Sequence, residues 1–300
     1  MKIHKFLTLL ILSLGLFLTS ANAQSKKTKT VKKSKSSATK KIMNSTPKPP
    51  IDAAKTEYKI LLEGSQSKVE MPFIFIARDA ETYAEMRGLV EGLPASSTID
   101  FNQAAVVAAF AGTRNTGGWS VAVKPSAAKI IVDVNAPGKG DMTAQVITYP
   151  FQVALVPVAE NQPLNIETAA IWTNELKNYR VTKANFQYSG GIAGRSKKFN
   201  AAGTIGVLSY GNHLTYFFNL AGKGNESQRK LTEMVSGVAK NGSVEFTRLD
   251  AGNFSEMPHP ALKVTGTATA DKLALVFEPL PTNVADGFAA RGKLEAVRIK

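Results

Sequence analysis

Three histidines, one serine between strand-like runs, one aspartate-bearing loop and one glycine-rich turn are the residues of this 300-residue chain whose types could do chemistry. His4 lies in an N-terminal leader. His213 and His259 are far apart in sequence, neither belongs to an H-E-x-x-H pair, and no nearby carboxylate has metal-ligand spacing, so both read as structural or surface residues. Ser209 in "GVLSYG" resembles a nucleophile elbow, but Val207 stands where the first glycine of G-x-S-x-G belongs and its neighbours alternate like a strand. The stretch "DVNAPGKGD", Asp133 to Asp141, starts like a calcium loop. It puts Pro137 at the fifth position and Ala144 at the twelfth, where a bidentate carboxylate is required.

The fourth stretch is "NFQYSGGIAGRSKKF", Asn185 to Phe199. A phosphate-binding loop needs G-x-x-x-x-G-K-[ST] followed by a helix whose free N–H groups face the anion. Here a strand pattern follows, so Gly190 and Gly191 read as a turn or bulge with glycines at positive φ. No catalytic set emerges, and the chain is expected to be non-enzymatic with no cofactor. A hydrolase would need carboxylates that only folding could bring together.

The elements that would position these residues begin after residue 55. Residues 1–23 read as a secretory signal peptide: Lys2 and Lys5, an apolar run from Phe6 to Leu18, and a cleavage site at Ala21-Asn22-Ala23. Residues 24–55 read as a disordered linker, too poor in apolar residues to offset the entropy of ordering, with nine lysines and no acid over 24–50. These nine and the two leader lysines account for most of the formal charge of +14 and leave +3 for the rest, so nucleic acid is not an expected partner. No later segment is long enough to span a membrane. There is no cysteine, which excludes disulfides, thiol catalysis and Cys-zinc sites.

Beyond the linker, residues 56–160 predict strands at "KILLEG", "MPFIFIA", "AAVVAAF", "WSVAVK", "KIIVDV" and "AQVITYPFQVALVPV", with one helix over "AETYAEMRGLV" capped by Asp79. A seam is expected at Ala159 to Ala170. Residues 161–300 predict strands at "YRVTKANFQYSGG", "SVEFTRL", "ALKVTGTA", "KLALVFE" and "KLEAVRI" and a hairpin about Gly211-Asn212. They also predict a helix started by Asn225, carrying Leu231, Met234, Val235 and Val238, and stopped by Gly242. The expected class is α+β and β-rich: two antiparallel-sheet domains, each with about one packed helix.

Two stretches carry family resemblances. "DFNQAAVVAAFAGTRNTGGWSVAVK" with "PGKGDMTAQVITYPFQVALVP" resembles the C-terminal domain named after PrcB, a subunit of a bacterial cell-envelope protease complex. The matching positions include Asp100-Phe101, Val106-Val107, Gly112, Thr116-Gly117-Gly118, Trp119, Pro137-Gly138, Gln145, Pro150 and Pro157. That resemblance covers about residues 58–158 and implies an exported, non-catalytic accessory module. Phe186, Ser189-Gly190-Gly191 and Ala193-Gly194 resemble the F-x-x-[ST]-G-G-F-A-G opening of emfourin-like inhibitors of thermolysin-type metalloproteases, with Ile192 in place of the usual Phe. Both imply a protease partner. The expected contacts are Ser189, Gly190, Gly191, Ile192, Ala193 and Gly194, and Thr116, Gly117, Gly118 and Trp119. The expected function is an exported (periplasmic or extracellular) inhibitor or accessory subunit of a metallopeptidase. The alternative is a cell-envelope binding module held on an anionic surface by its lysine-rich segment.

Overall fold

Strand β3 (Ala104–Ala111) organises the first part of the molecule: it is buried on both faces and reads as an unbroken apolar run, as an interior strand must. A computed structural model of the chain describes residues 57–126, 129–158, 163–190, 195–250, 261–280 and 289–300. The leader and linker expected over 1–55 lie outside the described residues, as do 191–194 and His259. β3 sits between β2 (Pro72–Ala77) and β6 (Phe151–Pro157), and β1 (Lys59–Gly64) completes an antiparallel sheet of order β1-β6-β3-β2. Helix α1 (Ala80–Leu89) begins where Asp79 accepts a hydrogen bond from the Thr82 amide at 2.7 Å, and it buries Tyr83, Met86 and Leu89.

A second, three-stranded sheet packs on the first. It is built from β4 (Ser120–Ser126), β5 (Lys129–Asn135) and β7 (Ile166–Thr168), with β5 and β7 parallel. The free edge of β4 is tied back by side chains: the Val123 amide donates to Gln152 at 2.7 Å and its carbonyl accepts from the Tyr58 hydroxyl at 2.6 Å. The expected seam at 159–170 thus contains a strand of this sheet. Just after it, the short helix α2 (Ala170–Thr173) buries Trp172, whose indole N–H donates to the carbonyls of Phe110 at 3.0 Å and Phe73 at 3.3 Å.

The remainder is a closed antiparallel barrel of eight strands, which replaces the expected second sheet with a packed helix. Its strands are β8 (Lys177–Gly190), β9 (Arg195–Tyr210), β10 (His213–Gly222), β11 (Lys230–Lys240), β12 (Ser243–Asp250), β13 (Ala261–Ala268), β14 (Lys272–Pro279) and β15 (Ala289–Arg298), and β15 pairs with β8 to close it. Eight strands enclose a lumen that side chains can fill. Here Phe186, Tyr216, Phe218, Phe246 and Phe277 fill it in edge and stacked contacts, such as Tyr216–Phe246 at 4.6 Å between ring centres. Outward positions on β8 and β15 carry Lys183, Asn185, Arg291, Lys293 and Glu295, all exposed. An apolar lumen and a charged exterior are the reverse of a membrane-crossing barrel. No helix among the described residues is long and apolar enough to cross a membrane.

The helix expected over Asn225 to Val238 is not formed. A single 3-10 turn covers Gly224–Glu226, and Leu231 to Val238 belong to β11. Gly242 is not a helix stop. Asn241 and Gly242 have φ of 52° and 78° and form the two-residue turn between Lys240 and Ser243, the Asn-Gly pairing that hairpins favour because both central residues need positive φ. The apolar stripe that imitates a helix comes from a strand buried on both sides. Leu231 and Val235 face the lumen, while Met234 joins the core beneath the first sheet. The run "AQVITYPFQVALVPV" also shortens: β6 begins only at Phe151, and 141–147 is irregular.

Sheet and barrel lie within one compact unit. β2 is the edge strand of its sheet, and the barrel supplies what a neighbouring strand would. The Ile76 amide donates to Ser236 Oγ at 2.9 Å, and the Thr215 hydroxyl donates to the Ile74 carbonyl and lies 2.7 Å from Ser236 Oγ. Beside this contact Arg78 pairs with Glu233 at 3.0 Å, both side chains almost wholly buried.

Candidate functional site

The turn between β3 and β4 is built on Arg114. Its backbone bridges Thr148, the Thr148 hydroxyl donates to the Thr116 carbonyl at 3.0 Å, and the Thr116 hydroxyl accepts from the Trp119 indole at 3.1 Å. The Arg114 guanidinium lies 5.0 Å from the Trp119 ring centre, a cation–π contact that holds the half-buried indole in place. Burial pulls the Arg114 pKa below its usual value, and its Nε is buried with no hydrogen-bond partner among the described residues. Gly118 has φ of 82°, a conformation open to glycine, and a side chain there would press on Pro137.

This turn holds the irregular segment opposite it. The Gly117 amide donates to the Ala144 carbonyl at 2.9 Å, and the Arg114–Thr148 bridge anchors the far end. Between these anchors two apolar side chains face solvent, Val146 at 47% and Ile147 at 54% exposed, and Met142, two residues before Ala144, is fully exposed. Val146 and Ile147 were not singled out by sequence because "AQVITYPF" reads as strand. Their alternation with polar neighbours carried no sign that pairing would fail before Phe151. Of the expected contacts, Thr116, Gly117, Gly118 and Trp119 therefore sit together as the rigid frame of an exposed apolar surface.

The other expected cluster is only partly described. Ser189 and Gly190 end β8, with Ser189 opposite Ser196 on β9 and Ala289 on β15; Gly191, Ile192, Ala193 and Gly194 lie outside the described residues. The base of this hairpin is rigid, because Arg229 lies 4.8 Å from the Tyr188 ring centre and 5.4 Å from that of Phe199. Arg229 also donates to the Tyr188 hydroxyl and pairs with Glu226, whose carboxyl is held below its usual pKa by Lys197 first and Arg229 second. Among the described residues, no hydrogen bond, ion pair or ring contact joins Thr116–Trp119 to Ser189–Gly190.

His213, Ser209 and Asp141 each sit against neighbours of their own. His213 meets the Phe75 ring edge-on at 5.4 Å and its Nε2 lies 3.8 Å from a Glu85 carboxylate oxygen; burial holds its pKa below the usual value. Ser209 accepts from Lys177 on the neighbouring strand. The Asp141 carboxylate accepts from the Gly138 amide at 2.6 Å, closing its own turn. No group of three metal-ligating side chains occurs among the described residues.

No curated protein matches the chain. Among solved structures, a mutant of transferrin binding protein B, the vaccine antigen of Haemophilus parasuis Hp5, is similar at 11% identity over 65% of this chain, with a TM-score of 0.26. The match takes in 36% of that protein, so this chain spans about a third of its length, and a likeness at that level carries no argument. The emfourin-like resemblance finds no match. Residues 105–157, from β3 to β6 and including the whole Arg114–Ile147 surface, match the family model described as PrcB C-terminal, a protease-associated domain family.

Proposed function

We propose that this protein is an exported, non-catalytic partner of a protease, acting as an accessory or inhibitory subunit. In this reading it docks through the surface carrying Trp119, Met142, Val146 and Ile147. The observation that carries the proposal is the exposure of Val146 and Ile147 on a stretch pinned at both ends, with Met142 exposed just before it, inside the region that matches the PrcB family. A rigid apolar patch loses little entropy on association, and aromatic anchors ringed by polar groups are where interface energy concentrates. The lysine-rich segment over 24–55 would hold the protein near an anionic surface, an attraction that weakens with salt.

The test is a titration of the full chain against exported proteases of its host, thermolysin-type metallopeptidases among them, followed by size-exclusion chromatography and activity. A complex should form, and Met142→Ser with Ile147→Ser should weaken it about tenfold or more with an unchanged melting temperature. Absence of a complex with every protease tried, or equal binding by the double variant, would refute the proposal. Protease activity in the complex then separates inhibitor from accessory subunit.

A further inference from the structure

A groove of about 810 Å³ runs across the outer face of β14, β15, β8 and β9, away from the PrcB-like surface in the chain and unused by the protease reading. Strand register places its side chains in two rows. In one, Arg291 on β15 lies beside Gln187 on β8, which pairs with Lys198 on β9; in the other, Lys293 lies beside Asn185, which pairs with Asn200. Adjacent strands are about 4.8 Å apart and the rows are two residues, about 7 Å, apart. The result is a flat lattice of cations and carboxamides, all exposed except the half-buried Gln187.

Two carboxylates border it. Glu295 faces Lys183 at 3.9 Å, and Glu278 lies opposite Lys263 in the register. Lys198, Arg291 and Lys293 make no ion pair among the described residues. Beneath the lattice, on the lumen side of the strands, lie Phe186, Phe199 and Phe277, and the glycine between two of them, Gly292, leaves no room for a Cβ because the Phe186 ring occupies that space.

We infer that this groove binds an acidic oligosaccharide of the uronic-acid class. Carboxylates of the sugar pair with Arg291, Lys293 and Lys198, and Asn185 and Asn200 hydrogen-bond its hydroxyls. An acidic peptide fits less well. Each groove strand is already paired on both sides, so the backbone offers no edge for strand addition and recognition falls to side chains. In the basic run Arg195 to Lys198, Lys198 belongs to the lattice, while Lys197 is taken up by Glu226 at 2.7 Å.

The experiment titrates the full chain by calorimetry with an oligogalacturonate of defined length, a neutral oligosaccharide of equal length and a polyglutamate of equal charge. The nine lysines over 24–50 would attract polyanions wherever the groove stands, so every variant keeps them. Arg291→Gln with Lys293→Gln should weaken oligogalacturonate binding about tenfold or more, whereas the same charge loss elsewhere, Lys240→Gln with Lys272→Gln, should change it by less than about twofold. Polyglutamate should bind about tenfold more weakly than oligogalacturonate. Equal losses in the two variants, equal binding of polyglutamate, or no binding of oligogalacturonate would each overturn the inference. If the first variant melts lower than the parent, Lys198→Gln must reproduce the loss for the inference to stand.

Discussion

His213 shows how one side chain can set a response of the whole protein. Burial against Phe75 disfavours the imidazolium, and the Glu85 carboxylate only partly offsets this, so the folded pKa lies below 6.5. The unfolded chain therefore binds a proton that the native state refuses, and stability is complete above about pH 6.5 and declines as pH falls through the window beneath it. Urea midpoints measured at about pH 7.5 and about pH 5.5 should differ in the parent, and the difference should shrink in His213→Gln. A parent without such a slope would show that His213 gains a full partner on protonation. Sequence could not show its neighbours: Phe75 and Glu85 lie over a hundred residues away in the chain.

At the level of elements, the β2 edge deserves a direct test because it replaces a strand neighbour with two hydroxyls. Ser236→Ala strands the Ile76 amide in a buried site, and an unsatisfied buried donor costs about 1–3 kcal/mol. Thermal melting should register that loss, while Ser189→Ala at the barrel rim should not. The same strand explains what was legible beforehand. Elements with one clear periodicity, such as α1 with its Asp79 cap and the β9–β10 hairpin about Gly211, follow from their residues directly. β11 does not, because Leu231 and Val235 serve the lumen while Met234 and Ser236 serve the sheet. Burial on both faces erases the alternation that marks a strand, and what is left resembles a helical stripe. Asn241-Gly242 was the available corrective: a two-residue turn signal outweighs a single glycine read as a helix stop. The Thr116–Trp119 turn was legible by its glycines and tryptophan. The apolar side chains it presents were not, since exposure is decided by anchors on another segment.

For the whole molecule, the shared core has a mechanical meaning. Leu208 and Met234 of the barrel pack into the core of the sheet, and Arg78 is buried against Glu233. Melting followed by circular dichroism and by calorimetry should accordingly give one transition with matching midpoints, and two well-separated transitions would contradict the shared core. Removing Arg78 would leave a buried carboxylate, a change that costs about 3–5 kcal/mol where such pairs are broken.

The chain has two tryptophans, and the fold gives them unlike surroundings. Trp172 is wholly buried with its N–H bonded to two carbonyls, while Trp119 stands half-exposed on the proposed docking surface beneath Arg114. The protein thus carries two built-in fluorophores, one silent until the core opens and one free to change colour or be quenched when a partner covers it. A Trp172→Phe variant would leave a single-probe molecule in which emission reports docking alone.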